Sequence, residues 1–264
     1  MRKSLRAFGL FCLFSTIFHS LYAENFTVDN ICYYIVPSTK NEVAVVCSSN
    51  DTYAGDLVIP SSVVNNGINY SVSIIYESAF SGCIDLLSIE IPSSVTYIGK
   101  SAFKGCSSLT SISVPEGVTK IGEYAFYGCS GLMCITIPGS VTSIGNFAFY
   151  GCSSLISFNI PNGVTSIGDY TFSYCSSLSS VGIPEGVTTI GNYAFSGCSS
   201  LISFNIPDSV TSIGRSAFEN CSSLMSVSIP DGVTSIGSSA FAYCRSLTSV
   251  NIPDSVTSIG SSAF

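Results

Sequence analysis

LTSISVPEGVTKIGEYAFYGCSG, Leu109 to Gly131, decides the fold. Leu109, Ile112 and Val114 form an L-x-x-I-x-V segment whose alternate residues suit the inner face of a short strand. Pro115 ends it, because proline has no N–H to give to a ladder. Glu116-Gly117 turns the chain. Val118 and Ile121 point back to the same core, and Gly122 follows a second short extended piece. Ala125, Phe126 and Cys129 fill the far side, where the spacing predicts a tight helical turn. Gly128 and Ser130-Gly131 lead into the next unit.

The same frame recurs along the chain. Phenylalanines fall at Phe80, Phe103, Phe126, Phe149, Phe172, Phe195, Phe218, Phe241 and Phe264, each 23 residues after the last. Cysteines keep the same period from Cys83 to Cys244, leucines from Leu86 to Leu247 and prolines from Pro92 to Pro253. A fixed period with apolar residues locked in phase marks a solenoid. One unit is too small to bury its own apolar face, so units stack and share a core. Departures are few: Thr171 replaces the ladder alanine. Tyr76 stands where later units have glycine, which implies that this position is not left-handed.

The fold expected is therefore a repeat solenoid of mainly short parallel β-strands with tight helical turns, in 23-residue units. Residues 1–23 read as a signal peptide: Arg2, Lys3 and Arg6 precede an apolar run from Ala7 to Phe18, too short to span a bilayer, and Ala23 offers a cleavage point. A retained signal anchor is the alternative. Residues 24–56 break the period and read as a β-rich N-terminal cap, with strands at Phe26–Val36 and Glu42–Cys47. The solenoid takes residues 57–264, with a degenerate first unit at 57–83 and a truncated last unit at 247–264. Asn66-Gly67, in a nine-residue insertion between Pro60 and Pro92, reads as a hairpin turn. The chain stops in mid-unit, so it is expected to be a fragment with more repeats or an anchoring region beyond Phe264.

Composition narrows the function. Without residues 1–23 the chain keeps six basic residues against sixteen acids, a formal charge of 6 − 16 = −10. No basic patch is available to neutralise phosphates, which argues against nucleic acid as a partner. The one histidine, His19, lies in the signal segment. A mature chain without imidazole cannot build a Ser-His or Cys-His pair, so no enzyme is expected. No transmembrane span is expected in the mature chain.

Twelve cysteines in an exported chain would ordinarily suggest disulfides. Equivalent residues on adjacent coils lie about 4.8 Å apart with side chains in parallel, whereas a disulfide needs Cβ atoms about 3.8 Å apart and turned together. Free buried thiols are expected. Cys32 and Cys47 lie off the ladder and are a candidate pair; Cys134, also off it, is expected on a strand face. No Cys-x-x-Cys or Cys/His cluster exists, so no metal and no cofactor is expected.

The unit L-x-x-I-x-I-P-x-x-V-x-x-I-G-x-x-A-F-x-x-C, whole in LISFNIPDSVTSIGRSAFENC (Leu201 to Cys221) and LMSVSIPDGVTSIGSSAFAYC (Leu224 to Cys244), resembles the BspA-like class of leucine-rich repeats. That class occurs on surface and secreted proteins of anaerobic bacteria and some protist parasites. The resemblance implies a leucine-rich-repeat solenoid, secreted or cell-surface placement, and adhesion to host extracellular matrix proteins, such as fibronectin or fibrinogen, or to other cells. It does not imply catalysis.

Two surfaces are candidates for binding. Between the inward Ile and Ala-Phe positions run Tyr124, Phe147, Tyr170 and Tyr193, with Tyr127 and Tyr150 three residues after the first two. Alternation predicts that these rings face outward, where stacked aromatics suit proteins or glycans. The bland reading is that they stack on one another and cover backbone. The second surface is the strand-face file Glu90, Ser113, Thr136, Asn159, Gly182, Asn205, Ser228 and Asn251. Asp208, Asp231 and Asp254, preceded by Glu185, read as turn residues after proline rather than a cation site. The function expected is a non-enzymatic interaction protein, an adhesin; the alternatives are a carbohydrate-binding module or a structural spacer for a missing C-terminal domain.

Overall fold

The computed structural model describes residues 25–47 and 53–264; the segment 1–23 read as a signal peptide lies outside the described residues. The period winds the chain into a right-sized coil for one shared core. In the unit 109–131 the eight residues the sequence turns inward, Leu109, Ile112, Val114, Val118, Ile121, Ala125, Phe126 and Cys129, are all at most 5% exposed. Each coil has three sides. The first carries the strand Ser111–Ser113 and its equivalents out to Ser249–Asn251, paired in parallel where they pair. The second carries two-residue strands from Tyr97–Ile98 to Ser258–Ile259, again parallel.

The third side is not helical. Where a tight helical turn is expected, consecutive β-turns run instead, and no helix occurs among the described residues. The hydrogen bonds explain the difference. Ala102, Lys104 and Cys106 donate N–H back to Gly99, Ser101 and Phe103 (3.1–3.3 Å), closing single turns. Ser101, Phe103 and Gly105 instead donate to Glu123, Ala125 and Tyr127 of the next coil (2.7–2.8 Å). Alternate amides are thus committed to a neighbour, which a helix would forbid. The geometry requires left-handed backbone at the third-side position Ser78, Ser101, Tyr124, Phe147, Tyr170, Tyr193, Ser216, Ser239 and Ser262 (φ 51–58°).

The interior is a column of phenylalanine rings. From Phe80 to Phe264 successive rings are near-parallel (2–9°) with centroids 5.1–5.4 Å apart. Beside it the ladder cysteines are free thiols. Each from Cys106 to Cys244 donates its S–H to the carbonyl of the phenylalanine 26 residues earlier, at 3.0–3.2 Å. Burial pushes Cys152, Cys175 and Cys198 well above the ordinary thiol range and Cys83 up to about 11. Cys106 and Cys221 are raised first by hydrogen bonds they give to the neighbouring thiols Cys129 and Cys244, and then by burial.

The glycines that follow the second strand are needed for space, not for torsion. None of Gly99, Gly122 and their equivalents has positive φ. A Cβ on Gly99 would lie 2.7 Å from the Glu77 amide nitrogen, and one on Gly122 2.5 Å from the Gly99 carbonyl carbon. Tyr76 is tolerated because no coil of the regular frame lies beneath it; its ring meets Tyr34 of the N-terminal segment at 5.9 Å.

That segment differs from the two strands the sequence suggests. β1 (Asn25–Val28) and β2 (Ile31–Ile35) form a hairpin. Asp29 and Asn30, both left-handed (φ 48° and 63°), turn the chain, because short polar side chains tolerate the primed turn that matches strand twist. β3 (Glu42–Val46) pairs with β2. β4 (Gly55–Val58) runs parallel to Leu86–Glu90, and β5 (Ser62–Asn65) joins β6 (Ile68–Ile75) through the Asn66-Gly67 hairpin. β3 pairs in parallel with β6 and so continues the second-side sheet. Tyr53 seals the phenylalanine column: its ring sits 5.0 Å from Phe80, and its hydroxyl accepts from Cys32 N–H and donates to Val46 O. Burial pushes that hydroxyl up to about 12. Cys32 is a free thiol with its sulfur 3.4 Å from Thr27 Oγ1.

Strand pairing on the first side is interrupted between Leu86–Glu90 and Ser111–Ser113, and again at two larger residues. Phe158 and Phe204 stand where neighbouring coils carry Ile or Val, and each wedges edge-on between two rings of the column. Strand pairing fails on the N-terminal side of each, between Cys134–Thr136 and Ser157–Asn159 and between Ser180–Gly182 and Ser203–Asn205. Ile135, Ile137, Val181 and Ile183, just before the gaps, are only partly buried.

Candidate functional site

The structure brings all six aromatic candidates into one patch on the turn side. Tyr124, Phe147, Tyr170 and Tyr193 form one file with centroids 4.5–4.8 Å apart and planes within 8°. Tyr127 and Tyr150 form a second, 4.7 Å apart and 3° inclined. The files meet obliquely, Tyr124 to Tyr127 at 5.8 Å and Phe147 to Tyr150 at 6.1 Å. The rings are half-buried rather than fully outward. The backbone of Tyr124, Phe147, Tyr170 and Tyr193 is left-handed, unlike that of a strand, and that of Tyr127 and Tyr150 is not.

Three of the four file ends are closed by cations that sequence spacing did not single out. Lys100 lies over Tyr124 (5.9 Å), Lys104 over Tyr127 (5.3 Å) and Arg215 over Tyr193 (5.8 Å). Cation–π attraction favours this, because the ring face is the negative end of the quadrupole. Ring faces are thus occupied by rings or cations, and the rings stay partly open to solvent. Burial first, and neighbouring phenols next, raise the Tyr150 and Tyr170 hydroxyls, which keeps them neutral donors. Tyr174 adds an edge contact to Tyr150 (5.4 Å, 65°). Its signal was in the frame: it replaces the left-handed glycine of Gly128, Gly151 and Gly197.

Beside the rings runs a polar ladder. Asn146 Oδ1 accepts from Asp169 N–H (3.0 Å), Asp169 Oδ1 from Asn192 N–H (2.7 Å) and Asn192 Oδ1 from Arg215 N–H (2.9 Å). It spans the point where the second-side sheet is interrupted, between Ser143–Ile144 and Ser166–Ile167. Phe147 and Tyr170, the tightest pair at 4.5 Å, stack across the same interruption. The patch therefore also holds neighbouring coils together.

The strand-face file is exposed from Glu90 to Asn251. From Thr110 to Asn251 its outward positions carry no charged residue. One row of it is apolar: Leu87, Met133, Ile156, Ile202 and Met225, each the residue after a ladder leucine, are about half exposed (47–57%). The sequence frame contains this row, but single apolar residues at one frame position are ordinary until exposure is known. A cleft of about 540 Å³ opens at its N-terminal end, lined by Asp56, Ser88, Glu90, Ser111 and Ser113 among others. Asp208, Asp231, Asp254 and Glu185 are exposed turn residues. Among the described residues no group of three His, Cys, Asp or Glu could hold a metal ion, and no helix is long and apolar enough to cross a membrane.

Known proteins resolve the lineage. The profile of the BspA type leucine rich repeat region matches residues 73–169 and 142–264, in six copies. A leucine rich cell surface protein from Faecalibacterium prausnitzii has 33% identity and a TM-score of 0.75 over 93% of this chain and 74% of its own. A leucine-rich repeat protein from T. pallidum has 26% identity over 90% of this chain and 86% of its own, with a TM-score of 0.46. One from Bacteroides ovatus has 25% identity over 90% and 91%, with a TM-score of 0.42. No curated protein matches. The chain belongs to the BspA-type leucine-rich-repeat family.

Proposed function

We propose that the protein is a non-enzymatic, secreted or cell-surface adhesin that binds host matrix proteins or other cells through the aromatic patch. One observation carries the reading: six half-buried aromatic rings converge in two contiguous files, with cations over Tyr124, Tyr127 and Tyr193. Rigid aromatics give large contact area at little entropy cost, and tyrosine with arginine is typical of interface hot spots. Modest contacts along a stiff solenoid add through multivalency. The name of the Faecalibacterium relative, a cell surface protein, agrees with the placement.

The same geometry disfavours the carbohydrate-binding alternative, which needs a free ring face for a flat sugar. It does suit a protein surface, whose carbonyls and carboxylates can meet ring edges and phenol O–H groups. The uncharged strand face with its apolar row is a second location for the same function.

The test is binding to immobilised fibronectin and fibrinogen, beside a variant with Tyr124→Ser, Phe147→Ser, Tyr170→Ser and Tyr193→Ser combined. Serine already occupies the equivalent left-handed positions Ser101, Ser216, Ser239 and Ser262, so the variant is expected to fold. Saturable binding weakened about tenfold or more, the scale of a lost hot spot, supports the patch. Full binding by the variant moves the site to the strand face. No binding by the folded wild-type chain overturns these ligands.

A further inference from the structure

The two tyrosine pairs of the patch are placed for a reaction as well as for contact. Tyr127 and Tyr150 stack at 4.7 Å and 3°, and Tyr170 and Tyr193 at 4.6 Å and 7°. Each pair occupies equivalent positions on adjacent coils, so the two rings are near-parallel and in contact. All four rings are half-buried and so partly reached by solvent. Tyr124 is different: its neighbour in the file is Phe147, and Tyr127 is inclined to it by 47°.

We propose that Tyr127–Tyr150 and Tyr170–Tyr193 are oxidative cross-linking sites, where a one-electron oxidant such as a haem peroxidase with hydrogen peroxide makes dityrosine between adjacent coils. Each phenol gives one electron and one proton to the oxidant and becomes a phenoxyl radical. The unpaired spin reaches the ring carbons ortho to oxygen, and one carbon from each ring forms the new C–C bond. The two hydrogens on those carbons move to the oxygens, and both rings regain aromaticity. In sum, two tyrosines and one hydrogen peroxide give one dityrosine and two waters. Holding the rings in register makes the coupling unimolecular, with an effective concentration far above that of a second chain. The raised Tyr150 and Tyr170 hydroxyls keep these phenols protonated before oxidation.

The ladder thiols do not compete. From Cys106 to Cys244 they are buried and donate to phenylalanine carbonyls. Each link closes a loop of one repeat (150 − 127 = 23; 193 − 170 = 23) and fixes two coils to each other beside the interrupted sheet. Such a link would hold the patch in shape when the rest of the coil opens. Cys134 is exposed and could quench phenoxyl radicals, so the test removes it.

The full chain carrying Cys134→Ser is treated with horseradish peroxidase and hydrogen peroxide. The expected result is dityrosine fluorescence, a mass loss of two hydrogens per link, and digestion fragments that join Tyr127 to Tyr150 and Tyr170 to Tyr193. The yield per chain stays constant over a roughly hundredfold dilution, as an intramolecular reaction requires. Tyr193→Phe, which keeps the stack, removes the second link and leaves the first. Coupling only between chains, links mapped to other pairs, or an unchanged yield in the Tyr150→Phe/Tyr193→Phe double variant overturns the proposal.

Discussion

The left-handed position that carries Tyr124, Phe147, Tyr170 and Tyr193 is the residue on which this molecule turns. An L-residue there costs about 1–2 kcal/mol, and bulky side chains are rare in it. Eight of the nine coils that adopt it use its amide to donate to the next coil, as Ser101 does to Glu123 O (2.8 Å) and Tyr193 to Arg215 O (2.8 Å). Aromatic residues recover part of that cost by stacking, worth about 0.5–1.5 kcal/mol per pair. Serine recovers none of it this way. Ser101→Asn, which suits left-handed backbone better than serine, is therefore expected to raise stability by about 0.5–1 kcal/mol, read from urea unfolding midpoints. A loss of stability would show that the strain is relieved in the wild type by something other than torsion. None of this is legible from residue types, since tyrosine and phenylalanine argue against positive φ; only the inter-coil hydrogen bonds demand it.

At the scale of the element, the coil is defined by what can approach it. Gly122 faces the backbone of the coil below, and a Cβ would lie 2.5 Å from Gly99 carbonyl carbon. Backbone cannot move aside as a side chain can. Gly122→Ala is expected to destabilise by roughly 3 kcal/mol, at the upper end of overpacking effects. A change under 0.5 kcal/mol in denaturant unfolding would mean that the coils can spread. The strand side offers the opposite case. Phe158 holds two coils apart where Ile112 and Ile135 stand elsewhere in the frame. Phe158→Ile is expected to let Cys134–Thr136 pair with Ser157–Asn159 and so slow amide exchange there, with little change in stability. Unchanged exchange would assign the gap to another cause. The inward pattern of the coil was fully legible, because strand alternation and a period of 23 leave one solution. The gaps were not, because they depend on how a ring in one coil meets rings in the next.

The whole molecule is a stack of neutral thiols inside a stack of rings, and this sets its response to pH. Cys83, Cys106, Cys152, Cys175, Cys198 and Cys221 have folded pKa values raised above that of a free thiol. Such groups contribute stability that is complete below the unfolded pKa, about 8.5, and is lost as pH rises toward the folded value. Above that pH the unfolded chain holds fewer protons than the native one, so stability falls, on the order of 1.4 kcal/mol per pH unit for each thiol. Cys244 acts in the opposite sense, because its hydrogen bond to Cys221 lowers it. Stability is expected to be flat from pH 6 to 8 and to fall by several kcal/mol by about pH 10. An unchanged urea midpoint between about pH 7 and 10 would mean that the ladder thiols ionise freely in the native state.

Sequence alone determined the solenoid, its family, its inward residues and the clustering of aromatics in the middle coils. These follow from a repeat in which each residue meets its own equivalent one coil away, so periodicity is itself a contact map. Tertiary structure decided what the period cannot encode. It replaced the helical turn with inter-coil hydrogen bonds, closed the aromatic faces with rings and cations, and opened the strand side at Phe158 and Phe204. The first recurs in every coil but is a backbone arrangement that residue types do not reveal; the other two depend on residues that break the repeat, such as Lys100, Arg215 and Phe158, and what an exception does is set by the neighbours it meets in space.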